Sequence, residues 1–335
     1  MKAMKIIVAL LLLFIIVLAG FGFFSEINVA TPDRIEASDA FTPAPPTAEE
    51  TPPADTPVSN PNATDKEPVK IPAFFNPYWT LTVNPAEIKK GDLVLVNNLY
   101  GFDPEDAENL VSIASGKNSS YRLTDKDGVL GAVVIKNLNR MMEGFFTVAG
   151  KNNVSILSSY RTIEKQKQIF DGKAKTSGVE EAKKWVASPG FSEHHTGMSF
   201  DLAVIVDGVA QTFTGNGDYG WFAKNCFKYG FIRRYPPEKV AVTKISYEPW
   251  HFRYVGHPHA EIMNSLGLCL EEYIDFLRDF PFGGEHYIYE LDESVYEIYY
   301  IAGCEISLPK YKTAAISGNN VDGFIITSET AKPTE

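Results

Sequence analysis

The chain has 335 residues, more than one average domain, and a formal net charge of −11. That charge argues against a nucleic-acid surface, so no nucleic-acid partner is expected. Three cysteines, Cys226, Cys269 and Cys304, are an odd number without paired spacing. They exclude a disulfide framework and a thiolate metal site, leaving one bridge or buried free thiols as the readings.

Taken in chain order, Ile6 to Phe24 is almost unbroken hydrocarbon preceded by Lys2 and Lys5. At about 1.5 Å per residue the run reaches ~28 Å, close to the hydrocarbon thickness of a bilayer. Residues 1–24 therefore read as a membrane anchor or, if cleaved, a signal segment. The run ends in Gly-Phe-Gly-Phe-Phe-Ser-Glu with no Ala-x-Ala and no lipid-accepting Cys, which favours the uncleaved anchor. The flanking lysines keep the amino end in the cytoplasm and place the remainder outside. Residues 25–70 are rich in Pro, Thr, Ala, Asp and Glu and nearly free of branched apolar and aromatic side chains. Such a stretch cannot offset its ordering entropy, so it is expected to be a disordered tether, at most ~3.1 Å long per residue.

The folded region is expected over residues 71–284, followed at 285–335 by a small β appendage and a frayed, Ser/Thr/Lys/Pro-rich tail. Val129–Val148 has the apolar spacing of a core helix, and Asn153–Tyr160 alternates like a strand. Thr162 is placed to cap a helix through Phe170. Met198–Val206 and Glu248–Val255 alternate as strands, and His259–Phe280 reads as one long amphipathic helix. The fold class is α+β, a small sheet with helices packed against it.

Two stretches about fifty residues apart carry the chemistry: Ser192-Glu193-His194-His195-Thr196-Gly197-Met198-Ser199-Phe200-Asp201 and Glu248-Pro249-Trp250-His251-Phe252-Arg253-Tyr254. Together they offer two imidazoles, His194 and His251, and a carboxylate, Asp201. Three N/O ligands with a fourth position open is the pattern of a catalytic metal site rather than a structural one. Glu248, three positions before His251, is the unligated carboxylate such a site needs as a base. If the two strands are neighbours, Asp201 and His251 face one cleft while His194 reaches in from the strand entrance. Trp250 belongs on the opposite face by the period-two rule. Glu248 would also fall on the wrong face of a regular strand, so a bend or bulge is expected at Glu248-Pro249. Any single one of these residues has an ordinary structural explanation, and His195, His257, His259 and His286 are read that way, His195 as at most an outer hydrogen-bond donor. The ordered combination Ser-x-His-(x)6-Asp and Glu-Pro-Trp-His is what carries the inference. A non-haem iron facial triad also uses two His and one carboxylate, but its carboxylate usually follows the first His by two residues and it needs no adjacent Glu.

With Ser158-Ser159-Tyr160-Arg161-Thr162 upstream, these segments resemble the VanY-type D-alanyl-D-alanine carboxypeptidases, zinc peptidases grouped with lysostaphin-like and hedgehog-like domains. The resemblance is strong over about Asn153–Gly256. It implies a small antiparallel sheet with packed helices, Zn2+ held by His194, Asp201 and His251, Glu248 as base, and Arg161 as the cation facing the oxyanion or substrate. Gln166, Ser192 and Trp250 are candidate substrate contacts. Ser159 stands where the family usually has Gly, and Ser199 where it usually has Ala. The implied substrates are peptidoglycan stem peptides, cut at the terminal D-Ala, with L,D-carboxypeptidase or endopeptidase action on other wall bonds as the alternative. A non-catalytic zinc-stabilised wall-binding domain is the remaining reading, and an intact Glu248 and Arg161 count against it.

Overall fold

The computed structural model describes residues 77–310 and 312–332. The expected anchor and tether lie outside them, and among the described residues no helix is long and apolar enough to cross a membrane. Fourteen strands occur in these residues. They are β1 (Tyr78–Thr82), β2 (Leu110–Ser112), β3 (Arg122–Leu123), β4 (Val129–Gly131), β5 (Val154–Ser158), β6 (Ser199–Val206), β7 (Val209–Thr212), β8 (Phe231–Tyr235), β9 (Glu248–Tyr254), β10 (Tyr287–Leu291), β11 (Ser294–Ala302), β12 (Glu305–Pro309), β13 (Ala314–Gly318) and β14 (Gly323–Ala331).

The sheet that positions the site runs β3-β5-β6-β9-β8, with β7 also paired to β6. Every pairing is antiparallel except β3 with β5. Its apolar face follows from period two: Phe200, Leu202 and Val204 of β6 and Phe252 of β9 point into one core. Against them lies the helix Ala132–Ala149, whose Val134, Leu138, Met141 and Phe145 form a stripe at three- and four-residue spacing. That helix begins three residues later than the apolar pattern predicts, because Val129–Gly131 pairs with β2 instead. It ends at Gly150 in the left-handed region. The helix after Thr162 is longer than expected, Ile163–Ser177, and Thr162 does cap it by accepting from the Lys165 amide at 3.2 Å.

The long C-terminal helix expected over His259–Phe280 is two helices, His259–Leu266 and Leu270–Leu277. Gly267 at φ 64 ends the first, and the Glu272 carboxylate accepts from the Cys269 amide at 2.9 Å to open the second. All three cysteines are free, with Cys226 and Cys269 buried.

Residues beyond 284 are β-rich as expected, but the end is not frayed: β14 is a nine-residue strand inside the sheet β10-β11-β14-β13. Nor does this part stand apart, since β12 pairs with β1 from the start of the described chain. Tyr287, Ile298 and Ile325 share a core with Leu93, Val255 and Met263. The composition of the tail is misleading because Phe324, Ile325 and Ile326 carry the burial while Ser317, Thr327 and Ser328 find hydrogen-bond partners in Leu93, His259 and Glu297.

Candidate active site

Asp201 and His251 are direct cross-strand partners at the end of the β6–β9 ladder, and beyond them β7 takes over the same edge of β6. On the other side of Asp201 lies Ser158 of β5, where the β5–β6 register shifts. The expected irregularity in β9 is present: four residue steps from Glu248 to Phe252 run beside only two of β8, from Tyr235 to Arg233. This excess breaks the alternation. It turns Glu248 into the cleft that His194, Asp201 and His251 line, and brings Trp250 to the same cleft wall, where strict alternation had placed it on the far face.

His194 comes from a short 3-10 turn, Glu193–Thr196, which Ser192 caps by accepting from the His194 amide at 3.4 Å. The turn reverses into β6 at Gly197, φ 69, where a Cβ would come within 2.3 Å of Leu110. Only glycine suits that position, which is the physical content of the His-x-x-Gly spacing.

Each imidazole is held in one orientation. His194 Nδ1 donates to the Ser159 carbonyl at 2.6 Å, leaving Nε2 turned toward Asp201 at 3.3 Å. His251 Nε2 donates to Glu193 Oε2 at 3.2 Å, leaving Nδ1 2.9 Å from Asp201 Oδ1. Burial and then the Arg161 guanidinium lower His194 to about 4, so it is neutral. Burial also opposes charge on His251, but Asp201 and Glu193 outweigh it and raise that imidazole to about 9. Burial pushes Asp201 upward, yet His194, His251 and Arg161 hold it well below the usual carboxylate range. The field at the centre of this cluster therefore favours positive charge. One ligand atom from each of the three side chains lies within 4.8 Å of the others. Two imidazole nitrogens and an anionic oxygen so arranged fit a divalent cation of the zinc type, which would take the place of the proton that His251 Nδ1 shares with Asp201.

Glu248 is buried, and burial first, then Asp201 and Glu193, push its carboxyl up to about 8, with His251 and Arg161 opposing. Arg161 donates from Nη2 to Asp201 at 2.7 Å, from Nε to Ser158 at 2.9 Å and from Nη1 to Gln166 Oε1 at 3.2 Å. Gln166 donates to the Ala187 carbonyl at 2.7 Å, so its amide orientation is set and it steadies Arg161 from the cleft wall. Arg161, Gln166, Ser192 and Trp250 all line this cleft.

Sequence reasoning missed the groups that hold the ligands. Glu193 is fully buried: Arg234 and Arg253 donate to its Oε1 at 2.8 and 3.0 Å while His251 takes Oε2. Arg234 is in turn held bidentately by Glu271 at 2.7 and 2.8 Å. Arg253 also donates to the carbonyls of Asp92 and Val94. Two glutamates and two arginines thus form a neutral, mostly buried chain behind His251. One signal was available: Arg253 follows His251 by two residues, and in a strand that places it on the ligand's face. His195 is likewise no surface residue. Its Nε2 accepts from the Gly190 amide at 3.1 Å and its Nδ1 donates to the Arg161 carbonyl at 2.7 Å, fixing the backbone of Arg161.

The two departures from the family pattern have separate consequences. Ser159 directs its hydroxyl to Asp125 at 2.6 Å, away from the ligands, and leaves its carbonyl for His194. Ser199 has a buried hydroxyl with no hydrogen-bond partner among the described residues. Ser199→Ala should therefore stabilise the fold by about 1 kcal/mol, read as a raised Tm in calorimetry, and a clear loss of stability would contradict the orphaned hydroxyl.

A cleft with paired imidazoles, a carboxylate able to share a cation with them, a second buried carboxyl and a guanidinium, set at the ladder end of an α+β fold, fits a metal-assisted hydrolase. Comparison with known proteins gives the same class and a family. The VanY family model, described as D-alanyl-D-alanine carboxypeptidase, matches residues 131–257. A D-alanyl-D-alanine carboxypeptidase of Enterococcus faecium is 29% identical over 252 residues, covering 73% of this chain and 78% of that protein. The bifunctional D-Ala-D-Ala dipeptidase and carboxypeptidase VanXYC of Enterococcus gallinarum is 34% identical over 158 residues, 46% of this chain and 82% of the relative. The crystal structure of the vancomycin-resistance D,D-dipeptidase VanXYg, in complex with a D-Ala-D-Ala phosphinate analogue, superimposes with a TM-score of 0.68 at 32% identity, covering 76% of this chain and 99% of that one. The chain belongs to the VanY D-alanyl-D-alanine carboxypeptidase family, and it is a peptidase.

Proposed function

We propose that the protein is a zinc-dependent D,D-carboxypeptidase that removes the terminal D-Ala from peptidoglycan stem peptides. The observation that carries this reading is the convergence of His194, Asp201 and His251, with Glu248 and Arg161 in the same cleft. When bound, the cation would lower the pKa of an attacking water to about 7 and polarise the scissile carbonyl. Glu248, held by the cation's charge as the carboxylate that burial alone disfavours, takes the proton from that water as the water oxygen bonds to the carbonyl carbon. It then delivers the proton to the amine nitrogen of the departing D-Ala as the C–N bond breaks. Arg161, braced by Ser158 and Gln166, places a fixed positive charge where negative charge grows on the carbonyl oxygen, favouring the transition state over the ground state. Glu193 and the Ser159 carbonyl keep both imidazoles in the tautomers that face the cluster. Ser192 and Trp250 contribute cleft surface against the substrate. The apolar run at residues 6–24 supports a membrane-anchored protein with its catalytic part outside, held off the bilayer by the Pro-rich tether.

The test is elemental analysis of the purified full chain with product mass spectrometry. We expect one zinc per chain and conversion of a D-Ala-D-Ala-ended pentapeptide to the tetrapeptide. Chelation should remove more than about 99% of that activity and added zinc should restore it. Undiminished turnover after complete metal removal would refute the zinc assignment. Cleavage of the tetrapeptide alone would replace the D,D reading by an L,D one.

A further inference from the structure

The cleft contains one cation that the chemistry above leaves unused. Arg161 is engaged by Asp201, Ser158 and Gln166. Lys173 also lines the cleft, is half-buried, and holds its ammonium 5.8 Å from the centroid of the Trp185 ring. Among the described residues it has no hydrogen-bond partner and no carboxylate within ion-pair distance. The nearby Glu181 is already taken, with Lys184 on one oxygen at 2.7 Å and the Trp185 indole on the other at 3.2 Å.

Two walls of the cleft give its distance from the chemistry. Along the helix Ile163–Ser177, the residues Gln166, Ile169 and Lys173 line the cleft, and Lys173 is seven residues after Gln166 on nearly the same face. That is about 10 Å along the helix axis. On the facing wall, Gln166 is bonded to Ala187, and Trp185 precedes Ala187 by two residues, at most about 7 Å. Gln166 itself touches Arg161, which touches Asp201. The backbones of Lys173 and Trp185 thus lie roughly 7 to 10 Å along the chain from the Gln166–Ala187 contact that braces the Arg161 guanidinium.

A carboxypeptidase substrate has only one residue beyond that bond, and the terminal carboxylate is about 3.5 Å of chain away from it. A subsite two or three residues out therefore lies under the acyl part. We infer that Lys173 and Trp185 form an acyl-side subsite that reads a free carboxylate carried two or three residues before the scissile bond, so the substrate class is an acidic stem peptide rather than a neutral one. The ring supplies a flat floor and keeps the ammonium in place. The ammonium acts as a point charge that accommodates a carboxylate without demanding one orientation. This inference rests on the carboxypeptidase reading above.

The experiment compares two D-Ala-D-Ala-ended peptides identical except for carboxylate or carboxamide at that acyl-side position, using kcat/KM on the zinc-loaded full chain. The unaltered protein should prefer the acid by about fivefold, mainly through KM, the scale of a partly exposed ion pair. Lys173→Met should bring the ratio near one, Lys173→Glu should invert it, and Lys173→Arg should keep it. Equal losses on both peptides, or a ratio near one in the unaltered protein, would overturn the subsite. Failure to cleave either peptide would overturn the carboxypeptidase reading and this inference with it.

Discussion

Glu248→Gln is expected to give a folded, zinc-loaded protein whose kcat on a D-Ala-D-Ala-ended pentapeptide is reduced about a thousandfold, in the range of lost general acid–base catalysis. The amide is the same size as the carboxyl, so the bulged stretch of β9 that aims it into the cleft has no reason to move. An amide cannot take a proton from the attacking water or return one to the leaving amine. Nor is Glu248 among the three ligand-bearing residues, so metal content should be unchanged. Thermal stability should also survive. Burial already disfavours the ionised form of this carboxyl, and a neutral amide removes that cost. Stopped-assay kinetics beside elemental analysis would decide it. Near-normal turnover at full metal occupancy would assign the base to another group.

Glu193→Gln should do the opposite damage, to the site's support rather than its chemistry. The carboxylate faces Arg234 and Arg253, both with no exposure to solvent, and it orients His251 through Nε2. Burial opposes its charge, but the two arginines hold it far below the ordinary carboxylate range, so it is ionised at any working pH. Neutralising it leaves Arg234 with Glu271 alone and Arg253 with only the backbone carbonyls of Asp92, Val94 and Tyr254. That should cost about 3 to 5 kcal/mol, or on the order of 10 °C of Tm for a domain of this size. His251 would also lose the anion that fixes its ring, and zinc affinity should fall ten- to a hundredfold. Saturating zinc should then recover much of the kcat that Glu248→Gln loses permanently. A metal titration indistinguishable from the unaltered protein would mean Glu193 does not position the ligand.

The contrast between these two residues marks where the sequence was legible. Glu248 stands out because it lies in a short motif with His251, and spacing within one strand is a local property. Glu193 lies in a motif just as short, beside His194, yet nothing local reveals that it is buried. Its partners Arg234 and Arg253 come from two strands 41 and 60 positions later, and Glu271, which holds Arg234, from a helix 78 positions later. Buried charge networks are satisfied by partners distant in sequence, and residue type alone favours the surface for Glu and Arg. For the same reason His195 read as no more than an outer hydrogen-bond donor, and its burial against the Arg161 carbonyl was not legible. The single long helix expected after His259 fails for a different cause: its apolar spacing continues across Gly267, while the backbone there turns left-handed and starts a second helix.

By itself the sequence determined the fold class, the three ligand candidates, the carboxyl of Glu248 beside them, and the irregularity in β9, because alternation, proline chemistry and ligand type are written into neighbouring residues. The tertiary structure alone decided that Asp201 and His251 meet across one ladder rung. It also decided that a chain of four paired charges, three of them buried, stands behind His251, and that β12 joins β1 in one folded body. Those outcomes depend on contacts between segments tens to hundreds of residues apart, where burial and register, rather than local preference, set the free energy.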